Sequence, residues 1–230
     1  MQTFDIVICT TAVSRMDLHA QVIPKYVSFL KDLKCLWIVN IDQVLDENVL
    51  DTVENFKKLV CDRENIQLDI TYNTTGGTRL QFYNSVKDLV TRSKQYTPNY
   101  GYLWLEDDWG CSSNKTLKEI LVEIDNFSTS DYLQLVKRPD KILSFNPGLF
   151  GNDLYKRTIG TCIYDTNSKY YEINPEAAAI SDTYNNYINL IITANKCIYY
   201  PCFHDVGRTW QAKQGMSNTT RTFGTIIIKK

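Results

Sequence analysis

The sequence has little of what marks the simplest functional classes. Its longest unbroken apolar run, Cys35 to Val39, has five residues, far short of the roughly 20 that cross a bilayer, so no transmembrane segment is expected. The N-terminus, Met1-Gln2-Thr3-Phe4-Asp5, has no basic stretch ahead of an apolar one, which argues against a signal peptide. Only 10 Gly and 6 Pro occur in 230 residues, excluding collagen-like and low-complexity chains. There is no basic excess either, with 25 Lys+Arg against 26 Asp+Glu and a net charge of −1. A nucleic-acid partner is therefore not expected, and an anionic ligand must be met by a few local cations. Seven cysteines, at 9, 35, 61, 111, 162, 197 and 202, include no CxxC pair. An odd, scattered set reads as reduced thiols in a cytoplasmic protein, neither a zinc site nor a disulfide framework. The four Asn-x-Ser/Thr sequons, beginning at Asn73, Asn114, Asn126 and Asn218, carry no weight in that compartment. Neither GxGxxG nor GxxxxGK[ST] is present, so Rossmann dinucleotide and P-loop readings lose their main support.

What the sequence does have is apolar content, 43% of the chain, enough for the core of one domain spanning residues 1–230. Short β-rich runs alternate with helical periodicity. Phe4 to Cys9 reads as a buried strand followed by the polar loop Thr10 to Arg15, then a helix from about Leu18 to Leu33 capped by Asp17. Cys35 to Ile41 is a second strand, and Val49, Leu50, Val53, Phe56 and Val60 form one helical face. Ile66 to Tyr72, a helix with Leu80, Tyr83, Val86 and Leu89 inward, Gly101 to Leu105, a helix around Leu117 to Ile124, and Tyr132 to Val136 continue the pattern. This order predicts an α/β domain, its mostly parallel central sheet flanked by helices on both faces. Lys137 to Arg157 breaks the rhythm. Strands at Gly160 to Tyr164 and Cys197 to Tyr200, a helix over Pro175 to Ala194 and an extended tail at Thr222 to Ile228 complete an irregular C-terminal third.

Three acids follow the fourth strand directly, in Leu105-Glu106-Asp107-Asp108-Trp109. Open parallel sheets bind ligands at the carboxyl ends of their strands. Adjacent carboxylates repel unless a cation lies among them, and Mg²⁺ or Mn²⁺ suits such hard oxygen ligands. The plainer reading is a solvated acidic turn. Past a late strand, His204-Asp205-Val206-Gly207-Arg208-Thr209-Trp210 offers an imidazole ligand and a guanidinium for phosphate. His19, on an amphipathic helix, reads as an ordinary structural histidine. Thr10, Thr11 and Arg15 after the first strand, Asp42 after the second, and Arg79 behind Gly76-Gly77 occupy positions suited to phosphate and nucleoside. Glu176, in Asn174-Pro175-Glu176, stands at a predicted helix start, either as a simple cap or as a general base, with Asp182 the alternative.

Taken in order, these segments resemble a glycosyltransferase of the GT-A fold, with a nucleotide-sugar-binding half at 1–125 and an acceptor-binding half at 126–230. Glu106-Asp107-Asp108 is similar to that family's DxD element in an ExD form. His204 with Arg208 and Trp210 resembles its late histidine segment. Compact size and the Glu-Asp-Asp-Trp element are similar to the small glycosyltransferases encoded by large DNA viruses of algae. The Asp-Asp-Gly-Ser pattern of the largest inverting family and the Gln-x-x-Arg-Trp motif of processive synthases are both missing.

The resemblance implies transfer of a sugar, from a UDP-sugar by expectation, to a hydroxyl of a glycan or glycoprotein with inversion. It assigns Glu106, Asp108 and His204 to Mn²⁺ or Mg²⁺. The donor falls to Thr10, Thr11, Arg15, Asp42, Arg79, Asp107 and Arg208, with Asp107 either touching ribose or sugar or orienting the metal shell. Trp109, Asn146 and Trp210 go to the acceptor, and Glu176 or Asp182 to catalysis. A sugar nucleotidyltransferase is the nearest rival, but the Gly-rich loop it keeps after the first strand is absent from Thr10 to Arg15. A non-catalytic carbohydrate-binding module on the same fold is the other alternative.

Overall fold

Two strands that open on the apolar runs Ile6 to Cys9 and Cys35 to Val39 form the centre of the sheet. The computed structural model describes residues 3–43, 48–74, 79–136, 146–159 and 194–215, without the side chains of Arg79, Leu80, Gln81 and Tyr83. In it β1 (Ile6–Val13) and β2 (Cys35–Asp42) pair in parallel along their whole lengths, Ile6 beside Cys35 and Val13 beside Asp42. β3 (Ile66–Asn73) joins β2 and β4 (Gly101–Trp104) joins β1, both in parallel. β5 (Trp109–Cys111), β6 (Tyr132–Val136), β7 (Gly148–Gly151) and β8 (Cys197–Asp205) complete one sheet in the order β3-β2-β1-β4-β7-β6-β8-β5. β4–β7, β6–β7 and β5–β8 are antiparallel, β6–β8 parallel, so the sheet is mixed beyond β4.

Alternation along the strands sends side chains to two apolar layers. Ile6, Ile8, Trp37, Val39 and Leu103 face one cluster, completed by α1 (Met16–Leu30), α2 (Val49–Val60) and α4 (Leu117–Ile124). Val7, Cys9, Leu36, Ile38, Tyr102 and Trp104 face the other, closed by α3 (Arg79–Ser93) and α5 (Asn152–Arg157). Each large side chain buried this way stabilises the fold by ~1.5–3 kcal/mol relative to leaving it in water. Burial also pushes the thiols of Cys9 and Cys35 up to about 12, which keeps them protonated packing groups.

Local signals place several helix ends. Asn48 caps α2 by accepting from Leu50 N, and Thr116 and Glu119 form a reciprocal capping box at α4, a device worth about 1 kcal/mol. Other boundaries differ from the sequence expectation. Thr10 and Thr11 belong to β1, because β2 offers a pairing partner as far as Asp42. α1 starts at Met16 and contains Pro24, and Asp17 lies in its first turn, with Arg15 at the N-cap position. β5, β7, α5 and α6 (Gly207–Lys213) were not expected, and β8 runs on to Asp205. The expected strand at Gly160 to Tyr164, the helix over Pro175 to Ala194 and the tail at Thr222 to Ile228 lie outside the described residues.

Candidate functional site

The acidic turn between β4 and β5 is built from the inside outwards. Leu105 N donates to Cys9 O at 3.0 Å, and the Thr10 hydroxyl donates to Leu105 O at 2.5 Å while accepting from Trp37 Nε1 at 2.8 Å. Thr10, expected at the donor, is thus a fully buried tie between strands. Thr11 donates to Glu106 Oε1 at 3.2 Å, and Asn146 Oδ1 accepts from Glu106 N at 3.3 Å. Asn146, expected at the acceptor, therefore lies against the acidic turn.

One face of α1 then grips the turn. Tyr26 lies with its hydroxyl 2.5 Å from Trp109 O and 3.0 Å from Glu106 O, and accepts from Trp109 N at 3.0 Å. Burial first, and the Asp108 charge after it, push that hydroxyl well above its ordinary pKa, so it stays a donor. Asp107, only 1% exposed, points inward. Its Oδ2 accepts from Arg15 Nε at 2.9 Å, His19 Nε2 at 2.7 Å and Val13 N at 3.2 Å, and its Oδ1 accepts from Arg15 Nη2. Burial alone would raise its pKa, but the charge of Arg15 and the hydrogen bond from His19 hold it well below the usual carboxylate range. Burial pulls the other way on Arg15, where the charges of Asp107 and then Asp108 outweigh it and raise its pKa. Arg15 and Asp107, both expected on the donor, are thus turned towards each other.

The late segment closes over the outside of the turn. Asp108 O accepts from Val206 N and Gly207 N, each at 3.1 Å, and Arg15 Nη2 lies 3.7 Å from Asp108 Oδ2. Gly207 has no side chain where a β-carbon would strike the Asp108 carboxylate, and Gly110 leaves the same kind of room for the His204 ring beside it in the β5–β8 ladder. His204 is exposed. Trp210 donates to both Asp17 oxygens at 2.9 and 2.8 Å, and its ring lies 5.7 Å from the Arg15 guanidinium carbon. Trp109 and Trp210 are each 5% exposed and belong to the core. Both were expected at the acceptor, and the structure packs each of them into the core cluster.

A second corner lies across β1. Ser14 N donates to Asp42 O at 3.1 Å, which puts the end of β2 beside the same strand that meets Asp107. The buried Asp42 carboxylate accepts from Asn73 Nδ2 at 2.7 Å and from Ser85 Oγ at 3.0 Å to each oxygen. Arg208 is exposed and pairs with Asp205 at 3.2 Å. The side chain of Arg79, and all of Glu176 and Asp182, lie outside the described residues.

Among the described residues, no three His, Cys, Asp or Glu side chains converge closely enough to hold a metal ion, and no helix is long and apolar enough to cross a membrane. The described residues alone therefore form no cage of protein ligands. A site with one or two carboxylates does fit, since Mg²⁺-type ions take their remaining ligands from phosphate and water. Glu106 and Asp108 supply such carboxylates, while Asp107 is engaged inward.

His19, Tyr26, Asn73, Ser85 and Gly207 are the participants that sequence reading missed. Arg15, His19 and Tyr26 recur at helical spacing, and the last two are buried with the apolar stripe of α1. That spacing was the available signal.

No protein-family model matches the sequence, and no characterised protein matches it by sequence. Solved structures do match by shape. One is a mannosyltransferase from Pyrobaculum calidifontis in complex with GDP-Man and Mn²⁺, at 12% identity and a TM-score of 0.53, covering 87% of this chain and 56% of the other. Another is TarS 1-349 of S. aureus in complex with UDP, at 13% identity and a TM-score of 0.55, covering 86% of this chain and 59% of the other. The chain spans less than two thirds of either neighbour. The likeness is one of fold, and the fold is that of GT-A-type glycosyltransferases.

Proposed function

We propose that this chain is a metal-dependent glycosyltransferase moving a sugar from a nucleotide diphosphate donor, a UDP-sugar by preference, to a hydroxyl of a glycan or glycoprotein. The observation that carries the proposal is an acidic turn at the carboxyl end of β4, one strand from Asp42 at the end of β2, on a sheet of GT-A order. Open α/β sheets receive ligands at that edge. The GDP-Man, Mn²⁺ and UDP complexes of the fold neighbours support a nucleotide-bound donor. The finer likeness to the small glycosyltransferases of large algal DNA viruses belongs to this proposal. So does a cytoplasmic setting, in keeping with the free thiols of the described cysteines.

On this reading Asp42 accepts from the nucleoside, and Glu106 and Asp108 would hold Mn²⁺ or Mg²⁺; His204, the third ligand the resemblance assigns, does not converge with them among the described residues. A cation bound there supplies positive charge against the diphosphate as it leaves. Arg208, free to swing from Asp205, meets phosphate, and Arg79 is assigned the same contact. Thr11 steadies Glu106. Asp107 orients this shell from inside the turn. Glu176 takes the proton of the acceptor hydroxyl as its oxygen bonds to the anomeric carbon and the bond to diphosphate breaks, giving inversion; Asp182 is the substitute base.

Incubation with a panel of nucleotide sugars and Mn²⁺ tests this reading. The expected outcome is release of nucleoside diphosphate, blocked by EDTA, with Asp108→Asn losing metal-assisted donor binding and Glu176→Gln sparing binding but losing turnover. Pyrophosphate formation would instead indicate a nucleotidyltransferase. One observation favours a non-catalytic carbohydrate-binding module: Arg15 already offsets charge in the acidic turn. Glycan binding with no metal-dependent nucleotide binding in calorimetry would select it and sink the transferase.

A further inference from the structure

His19 is fully buried 88 residues away in sequence from the carboxylate it touches, and the glycosyltransferase reading gives it no task. The backbone of the acidic turn is already pinned at both ends, by Tyr26 at Glu106 and Trp109. Its middle is held outside by Val206 N and Gly207 N on Asp108 O. Rotation of the peptide units about residues 107 and 108 is resisted from inside the turn by the Asp107 side chain, which accepts from Arg15, His19 and Val13 N. Arg15 binds that carboxylate from a long stem at the N-cap of α1, so guanidinium and carboxylate can shift as one unit. His19 has two rotatable bonds, sits one turn further into the helix, and its ring is packed edge-on against Phe56 at 5.6 Å between centroids. Its Nε2–H donates to Asp107 Oδ2 at 2.7 Å, and its Nδ1 is buried with no hydrogen-bond partner among the described residues. A histidine kept with one nitrogen unsatisfied is poorly explained by packing alone. The single bond it makes ties the Arg15–Asp107 pair to the buried face of α1, as Val13 N ties it to β1.

We propose that His19 is a positioning residue: through Asp107 it fixes the directions in which Glu106 and Asp108 leave the turn, and so sets the affinity for a nucleoside diphosphate bound through a divalent cation. The affinity half of this inference rests on the glycosyltransferase reading. The positional half rests on the contacts alone.

The test uses the full chain with His19→Leu, His19→Gln and His19→Asn. A glutamine carboxamide can donate from nearly the place of Nε2, whereas asparagine is too short to reach Asp107. UDP and GDP binding is measured by calorimetry with Mn²⁺ and with EDTA, and amide hydrogen exchange is followed at residues 106–109. His19→Leu should weaken Mn²⁺-dependent binding by about 10- to 100-fold, the range found when groups orienting metal ligands are removed. It should leave metal-free binding unchanged and speed exchange at the turn, and His19→Gln should restore both. If His19→Leu does not fold, the Gln and Asn variants decide, Gln behaving as wild type and Asn as the loss variant. Wild-type affinity and turn exchange in the Leu or Asn variant would overturn the proposal, as would equal loss with and without metal. Absence of any nucleotide binding by the wild type would overturn the glycosyltransferase reading instead. Turn exchange, faster in His19→Asn and restored in His19→Gln, would then still decide the positional claim.

Discussion

Two carboxylates flank the end of β1, and they are satisfied in opposite ways. Asp107 lies under a guanidinium and an imidazole, while Asp42 accepts from a carboxamide and a hydroxyl. Both are buried. The first arrangement exchanges a large desolvation penalty for direct charge pairing, so removing one partner strands a buried ion. Among the described residues the second shows uncharged donors, whose individual loss is milder than that of a buried counter-ion. The contrast sets a turn locked as a unit by charge against a corner where, among the described residues, a carboxamide and a hydroxyl each hold the carboxylate.

The largest effect should come from splitting the charged pair. Arg15→Leu leaves Asp107 buried without its guanidinium and should cost about 3–5 kcal/mol in urea unfolding. Arg15→Leu combined with Asp107→Leu should recover part of that loss, because Asp107 no longer lies buried without its guanidinium, while Asp108, 3.7 Å from Arg15, still loses its neighbouring cation. Additive losses in the double-mutant cycle would show that the pair does not act as one unit, and the contrast with Asp42 would collapse.

Gly207→Ala comes next. A β-carbon there meets the Asp108 carboxylate, and crowding of this kind costs ~1–3 kcal/mol in well-packed surroundings. The expected signature is a modest loss of thermal stability with a larger loss of Mn²⁺-dependent nucleotide binding, since the carboxylate itself must move. Gly110→Ala, which crowds His204 instead, is the informative companion. If Gly207→Ala binds as wild type, Asp108 does not need its observed position.

How much of this was legible beforehand follows the same division. β1 to β4 and their helices were readable because β1, β2 and β4 carry buried apolar runs, β3 alternates Ile66, Leu68, Ile70 and Tyr72 with polar residues, and each helix has one apolar face. β7 escaped notice because Gly148 and Gly151 sit in only four residues, and β5 because three residues carry no period. The order β7-β6-β8-β5 depends on long-range pairing that leaves no local trace. At the site, the acids at 106 to 108 announced themselves as a cluster, but one sequence window cannot tell which of three adjacent carboxylates faces inward. That is decided by Arg15 and His19, more than 85 residues earlier in the chain. Asn73 and Ser85 were invisible for the same reason, their common partner Asp42 lying 31 and 43 residues away.

The smallest effect tests the neutral side of the contrast. Ser85 donates to Asp42 from α3 and sits 3.0 Å from both of its oxygens, but a hydroxyl carries one proton and so makes one bond at a time. Ser85→Ala should therefore cost about 1.5 kcal/mol, the low end for a hydrogen bond to a charged group, because Asn73 still holds Oδ1. Loss of the hydroxyl also frees the carboxylate to turn. Nucleoside diphosphate affinity should consequently change in EDTA as much as in Mn²⁺, unlike the metal-specific losses expected at His19 and Gly207. A stability loss as large as that of Arg15→Leu would mean that the Asp42 corner is locked as firmly as the acidic turn, and that the two sides of β1 are built alike after all.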